Sequence, residues 1–165
     1  MKKIISLAAL LLLALSVSAQ SILGKWKTTV VEDGEKIPMV ITFKDKGVMT
    51  ISSQTKQSEP EVGTIHISLK ANGTYKQDGN KLFVTLDPKK SRVEVSRIDF
   101  NTSMKAMLLV QPEMEQQVIE MMNSELRKHS GELVKEMPLG GDTTIKELTD
   151  KKLVLAGDED VVLTR

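Results

Sequence analysis

Between Gly24 and Phe100 the chain repeats one pattern: short runs in which apolar and polar residues alternate, separated by turn dipeptides. Successive strand side chains point to opposite faces of a sheet, so the pattern predicts consecutive antiparallel strands with one buried face. Met39, Ile41 and Phe43 share a face, as do Ile65, Ile67 and Leu69, and again Leu82, Val84 and Leu86. Asp33-Gly34, Asp45-Lys46-Gly47, Asn72-Gly73 and Asp78-Gly79-Asn80 supply residues that adopt positive φ at little steric cost. Val62 to Gln77 reads as a single long strand bent at Gly73, because a full turn is already available at Asp78-Gly79 and a mid-strand glycine marks a bulge or barrel corner. Val93 and Val95 keep the period of two, whereas Ile98 and Phe100 fall on the other phase. A bulge at Ser96 or Arg97 reconciles them.

Beyond Met104 the period changes to steps of three and four. Pro112 opens the pattern, Met114, Val118, Met121, Met122, Leu126, Leu133 and Met137 form one apolar stripe, and Pro138 stops it. This predicts a helical segment over about 112–137, with a joint at Ser130-Gly131 where glycine weakens a helix. His129 is expected on or near the stripe. Strand grammar resumes at Thr143–Leu148, Lys152–Ala156 and Val161–Arg165, the last two joined by the acidic turn Gly157-Asp158-Glu159-Asp160. A sheet of eight or nine strands with one buried face packs as a sandwich or curls and closes. Sequential hairpins favour closure. The predicted fold is mainly β, an antiparallel up-and-down barrel with one amphipathic helical segment inserted before the closing strands.

The first residues bound the compartment. Met1-Lys2-Lys3 is a positive start, Ile4 to Val17 is an apolar run, and Val17-Ser18-Ala19 places small residues where a signal peptidase needs them. Cleavage is expected between Ala19 and Gln20, leaving residues 20–165 as one domain. The apolar run is shorter than the roughly 20 residues that span a bilayer. No cysteine occurs anywhere in the chain, so an exported form is stabilised without disulfides and carries no lipid-anchoring thiol. A bacterial periplasmic or secreted protein fits this best. Without Lys2 and Lys3 the charge is close to balanced, and no basic, aromatic-studded face of the kind that binds nucleic acid is present.

Trp26, the single tryptophan, lies at the start of the first strand in Gly24-Lys25-Trp26, and Arg165 follows the last. If the barrel closes, those strands are neighbours and the guanidinium stacks on the indole within about 6 Å of the ring centroid. Together with Phe43-Lys44-Asp45-Lys46-Gly47, Gly73-Thr74-Tyr75, Gly79-Asn80-Lys81-Leu82 and the terminal Leu163-Thr164-Arg165, this order of motifs resembles the small bacterial lipocalin-like (calycin-type) proteins. The likeness covers residues 20–165 except about 103–140. It implies that Gly24, Trp26 and Arg165 serve barrel closure, a structural and not a catalytic role. Two features depart from that family: the usual disulfide is missing, and the helix precedes the final strands instead of following the barrel.

No catalytic constellation or metal site is expected. His66 and His129 are distant and sit on elements of different kind, no nucleophile elbow is present, and Gly140-Gly141 lacks the partners of a phosphate loop. Asp158-Glu159-Asp160 lacks calcium-loop spacing. No cofactor is implied. The expected function is that of a non-enzymatic carrier holding a small apolar or amphiphilic ligand in or at the mouth of the barrel, lined by Met39, Ile41, Ile67, Leu69, Val84 and Met122. The alternative is an envelope interaction module with a filled barrel and a protein-binding surface, for which the methionines of the helix supply an adaptable apolar face.

Overall fold

The computed structural model describes residues 21–165 apart from residues 33, 136, 138, 158 and 159. The signal-peptide reading of residues 1–19 lies outside the described residues, as do Pro138 and the acids Asp158 and Glu159. Eight strands, β1 (Gly24–Glu32), β2 (Glu35–Lys44), β3 (Val48–Glu59), β4 (Gly63–Asp78), β5 (Lys81–Phe100), β6 (Gly141–Leu148), β7 (Lys152–Leu155) and β8 (Val161–Thr164), pair in chain order. Two helices, α1 (Thr102–Val110) and α2 (Glu113–Lys135), are inserted between β5 and β6. All neighbours are antiparallel, and β8 returns to β1 to close the barrel.

The alternation of apolar residues produces the interior. Trp26, Ile41, Met49, Ile51, Leu82, Leu153, Leu155 and Leu163 are fully buried in one cluster. Each such side chain contributes roughly 1.5–3 kcal/mol relative to exposure. Val134, Met137 and Leu139 join the same cluster, so the end of α2 and the segment after it plug the barrel. Phe43 and Tyr75 meet edge to face at 4.9 Å beside the Asp45–Gly47 turn. There Lys46 and Gly47 have φ of 63° and 69°, and a Cβ on Gly47 would lie 2.7 Å from the Tyr75 carbonyl oxygen.

Three strands outrun the barrel. The β2–β3 ladder stops at Met39 opposite Ser53, and the β5–β6 ladder covers only Lys81 to Val84, yet β3, β4 and β5 continue to Glu59, Gly63 and Phe100. The extra lengths form a three-stranded arm. Two irregularities in the β4–β5 ladder shape it. Ser96 is skipped between Arg97 opposite His66 and Val95 opposite Ile67, and this bulge brings Val93, Val95, Ile98 and Phe100 to a common buried state. Nearer the barrel, residues 88–91 loop out of β5 opposite Ala71. Asn72 holds that loop through its side-chain amide on the Lys90 carbonyl and its backbone N–H on Ser91 Oγ. The β4 strand is continuous, as the sequence predicts, but its break in register falls at Ala71 and not Gly73. Gly73 has no positive φ; it is needed because β5 approaches closely, with the Thr85 carbonyl oxygen where a Cβ would go.

The helices differ from expectation in start and joint. Helix begins at Thr102, ten residues before Pro112, because Asn101 caps it by accepting from the Met104 N–H at 2.9 Å. The joint is at Gln111-Pro112, where proline has no N–H to continue the ladder, and not at Ser130-Gly131. Gly131 sits inside α2 against Pro88 of the β5 loop. Acids Glu113 and Glu115 in the first turn and Lys135 in the last suit the dipole of α2. Val118, Ile119, Met122 and Leu126 of α2, with Met104 and Leu108 of α1, pack on Ile65, Val95, Ile98 and Phe100 of the arm. Met121 and Leu133 fall off the stripe and are exposed, whereas Ile119 and Val134 complete it. Asn123 adds a polar tie, its Oδ1 accepting from the Val95 N–H at 2.7 Å.

Candidate functional site

Gly24, Trp26 and Arg165 meet at the barrel seam. The Arg165 guanidinium lies 4.3 Å from the Trp26 ring centroid. The same group donates to the carbonyls of Ser21 at 2.9 Å and Leu23 at 2.6 Å, and Trp26 Nε1 donates to the Ile22 carbonyl at 2.7 Å. Gly24 has a φ of 118°, and a Cβ there would stand 3.7 Å from the guanidinium. These contacts bind the lead-in segment to the end of the chain. They supply no ligand site.

The six residues expected around one cavity divide between two places. Met39, Ile41 and Val84 are buried in the barrel cluster with Leu69 packed against it, whereas Ile67 and Met122 belong to the layer between arm and α2. Period-two alternation puts all the strand residues on buried faces, but two different bodies cover them: barrel side chains in one case, the helix in the other.

A groove of about 530 Å³ runs between the arm and α2. Its floor is Ile65, Ile67 and Val95, its helical wall Met122 and Leu126, and its lip Met121, which is 67% exposed. Gln57 and Glu59 of β3 form the opposite side, and Glu125 and His129 the helical rim. The Glu125 carboxyl is held below its ordinary value, first by a hydrogen bond from Lys128 Nζ at 2.7 Å and then by that ammonium's charge, with a lesser pull from His129. His129 stands off the apolar stripe, well exposed between Glu125 and Glu132 at 3.6 and 3.5 Å. The groove residues Gln57, Glu59, Ile65, Val95, Glu125 and Leu126 are not singled out by sequence reasoning. Ile65 and Leu126 carry a signal, since Ile65 shares a strand face with Ile67 and Leu126 the helix stripe with Met122; the others become neighbours only through ladder register and helix placement.

A second recess of about 700 Å³ lies at a barrel mouth, between Thr28–Val31, Leu139–Thr143, Leu155–Gly157 and Asp160–Val162. Its lining is mixed, with Thr28, Thr29, Asp142, Thr143 and Asp160 beside Val30, Val31, Leu139, Leu155, Val161 and Val162. His66 lies on the arm's other face, its Nε2 2.7 Å from Asp99 Oδ2, with Arg97 bonding the same carboxylate oxygen at 3.0 Å. Those two partners, His66 foremost, hold the Asp99 carboxyl below its ordinary value. Among the described residues no group of three or more His, Cys, Asp or Glu is placed to hold a metal ion, and no helix is long and apolar enough to cross a membrane.

No protein-family model matches the chain, and a search of curated proteins finds no match. Among solved structures, an uncharacterized protein from Bacteroides eggerthii is similar at 18% identity and a TM-score of 0.39, over 88% of this chain and 100% of that one. A likeness of that size says nothing about what this chain does.

Proposed function

We propose that this chain is an exported, non-catalytic binding module similar in build to the small bacterial lipocalin-like proteins, with its barrel as scaffold and the arm–helix groove as its recognition surface. The supporting observation is a contrast between two apolar regions. Large side chains and the end of α2 fill the barrel, while the groove stays open with an apolar floor and an exposed methionine at its lip. Its volume is within the range of ligand sites. The recess at the barrel mouth, lined by polar and apolar residues alike, favours a second reading, a small amphiphilic ligand held at the mouth.

The test is titration with the apolar reporter dye 1-anilinonaphthalene-8-sulfonate. Met121→Glu places a charge at the groove lip and is expected to weaken dye binding about tenfold, equivalent to about 1.4 kcal/mol. Thr143→Trp at the mouth is expected to leave it unchanged. The reverse pattern overturns the groove in favour of the mouth. Export is tested by N-terminal sequencing of protein recovered from a bacterial periplasm, with Gln20 as the expected first residue.

A further inference from the structure

The ladder beside the groove narrows what enters it. β2 parts from β3 after Met39 and Ser53, and β3 runs on to Glu59 with β4 alone beside it. Residues 54–59 thus present backbone N–H and C=O groups along a free edge, with no second strand among the described residues. Gln54, Lys56, Gln57 and Ser58 on this edge are exposed. Register puts Thr55 opposite Ile67 and Gln57 opposite Ile65, so alternate residues of the edge share the face that floors the groove. Gln57 and Glu59 line it directly. The free edge and the apolar groove therefore adjoin.

We propose that the arm takes an extended peptide segment of another protein as an added strand along β3 at residues 54–59, with every second peptide side chain on the groove's face of the sheet, flanking its open side beside Thr55, Gln57 and Glu59. The inference rests on the groove being the recognition surface. An extended chain uses both features at once: main-chain hydrogen bonds to the edge supply affinity, and alternate side chains at the groove's open side supply specificity. The segment is apolar at alternate positions and basic at an end, where it meets the Glu59 carboxylate of the rim, Glu125 being already paired with Lys128. A small amphiphile fills the groove but leaves the edge to water. A second copy of this edge fits poorly, because Gln54-Thr55-Lys56-Gln57-Ser58-Glu59 brings no apolar side chain to the groove.

The test uses the mature chain and a capped peptide, Val-Thr-Leu-Thr-Val flanked by lysines, together with two versions N-methylated at alternate amides in opposite phases. Binding is measured by calorimetry and by amide hydrogen exchange. The expected result is slowed exchange within residues 54–59, about a tenfold loss of affinity for one N-methylated phase with the other tolerated, and a similar loss in Met121→Glu. The thermal melt of that variant is expected to be unchanged, since the side chain is exposed. Binding that ignores both N-methylated phases and protects none of these amides overturns strand addition while leaving the groove as the recognition surface. Dye binding without peptide binding does the same. Failure of dye and peptide together overturns both. A dimer by sedimentation with the same amides protected assigns the edge to a second copy and overturns the peptide.

Discussion

Arg165→Ala tests what holds the barrel seam. The β1–β8 ladder contains the single pair Lys27 opposite Thr164, to which Thr28 Oγ1 adds a hydrogen bond to the Val162 carbonyl at 2.8 Å. Arg165 therefore supplies much of the seam. Its stack on Trp26 is worth roughly 0.5–2 kcal/mol. The two hydrogen bonds to Ser21 and Leu23 add about 0.5–1 kcal/mol each, at the low end because the side chain is exposed. Contacts sharing one group do not add fully, so the expected loss is about 2 kcal/mol. For a domain of this size that lowers the melting temperature by about 6 °C. Trp26, the one tryptophan, makes intrinsic fluorescence in a urea titration the natural assay. Arg165→Lys keeps the charge but cannot stack and fork at once, and is expected to lose about half as much. Hydrogen exchange should quicken in β8 before the rest of the sheet opens. If both variants melt like the parent, within about 0.5 kcal/mol, Arg165 is an ordinary surface arginine and the account of closure is wrong.

Gly63→Ala should be far more damaging. At φ 133° the added Cβ meets the Asp99 carbonyl and stands 2.7 Å from the Asn101 N–H, so a loss of about 3 kcal/mol or more is expected in the same titration. Asn123→Ala strips the Val95 N–H of its acceptor and should cost about 1–2 kcal/mol, read as loosened exchange where α2 meets β5. Asn101→Ala removes both the cap of α1 and a hydrogen bond to the Pro60 carbonyl at 2.8 Å, and about 1–2 kcal/mol is expected, visible as reduced helicity by circular dichroism. The Asp99 carboxyl is depressed in the folded chain, so its contribution is present above the ordinary carboxylate range and disappears as pH falls through the folded-state value. Carboxyl-carbon NMR should show Asp99 titrating below 3.8 in the parent and nearer 3.8 in His66→Gln; no movement would mean His66 is not the main cause.

Strand grammar was legible because each signal is local. The bulge at Ser96 follows from a phase change between Val95 and Ile98, and the turns at Gly47 and Gly79 from residues that tolerate positive φ. Helix α1 was not legible for a physical reason. Ala106 to Val110 is an unbroken apolar run, and so short a run satisfies strand and helix periods alike. Its one clear mark is Asn101, a capping residue. Period two likewise shows that Ile67 and Val84 each face something apolar, but not that a helix covers the first and barrel side chains the second.

That ambiguity bears on how the chain is built. In β4 the alternation begun by Ile65 and Ile67 in the arm leads on to Ala71 in the barrel core, at the break where residues 88–91 leave the β4–β5 ladder while the β3–β4 ladder runs on unbroken. The barrel half closes on itself and satisfies its edges through β8. The arm half cannot close, because β2 and β6 stop short of it. Its two flanks are then treated differently: α2 comes over β5 and meets the Val95 N–H with Asn123, whereas β3 keeps only polar side chains between Gln54 and Glu59. Polar side chains deter promiscuous pairing without removing the hydrogen-bonding groups. An edge built that way beside an open apolar groove is selective toward what pairs with it, and a fully closed barrel of the same strands would have no such edge to offer.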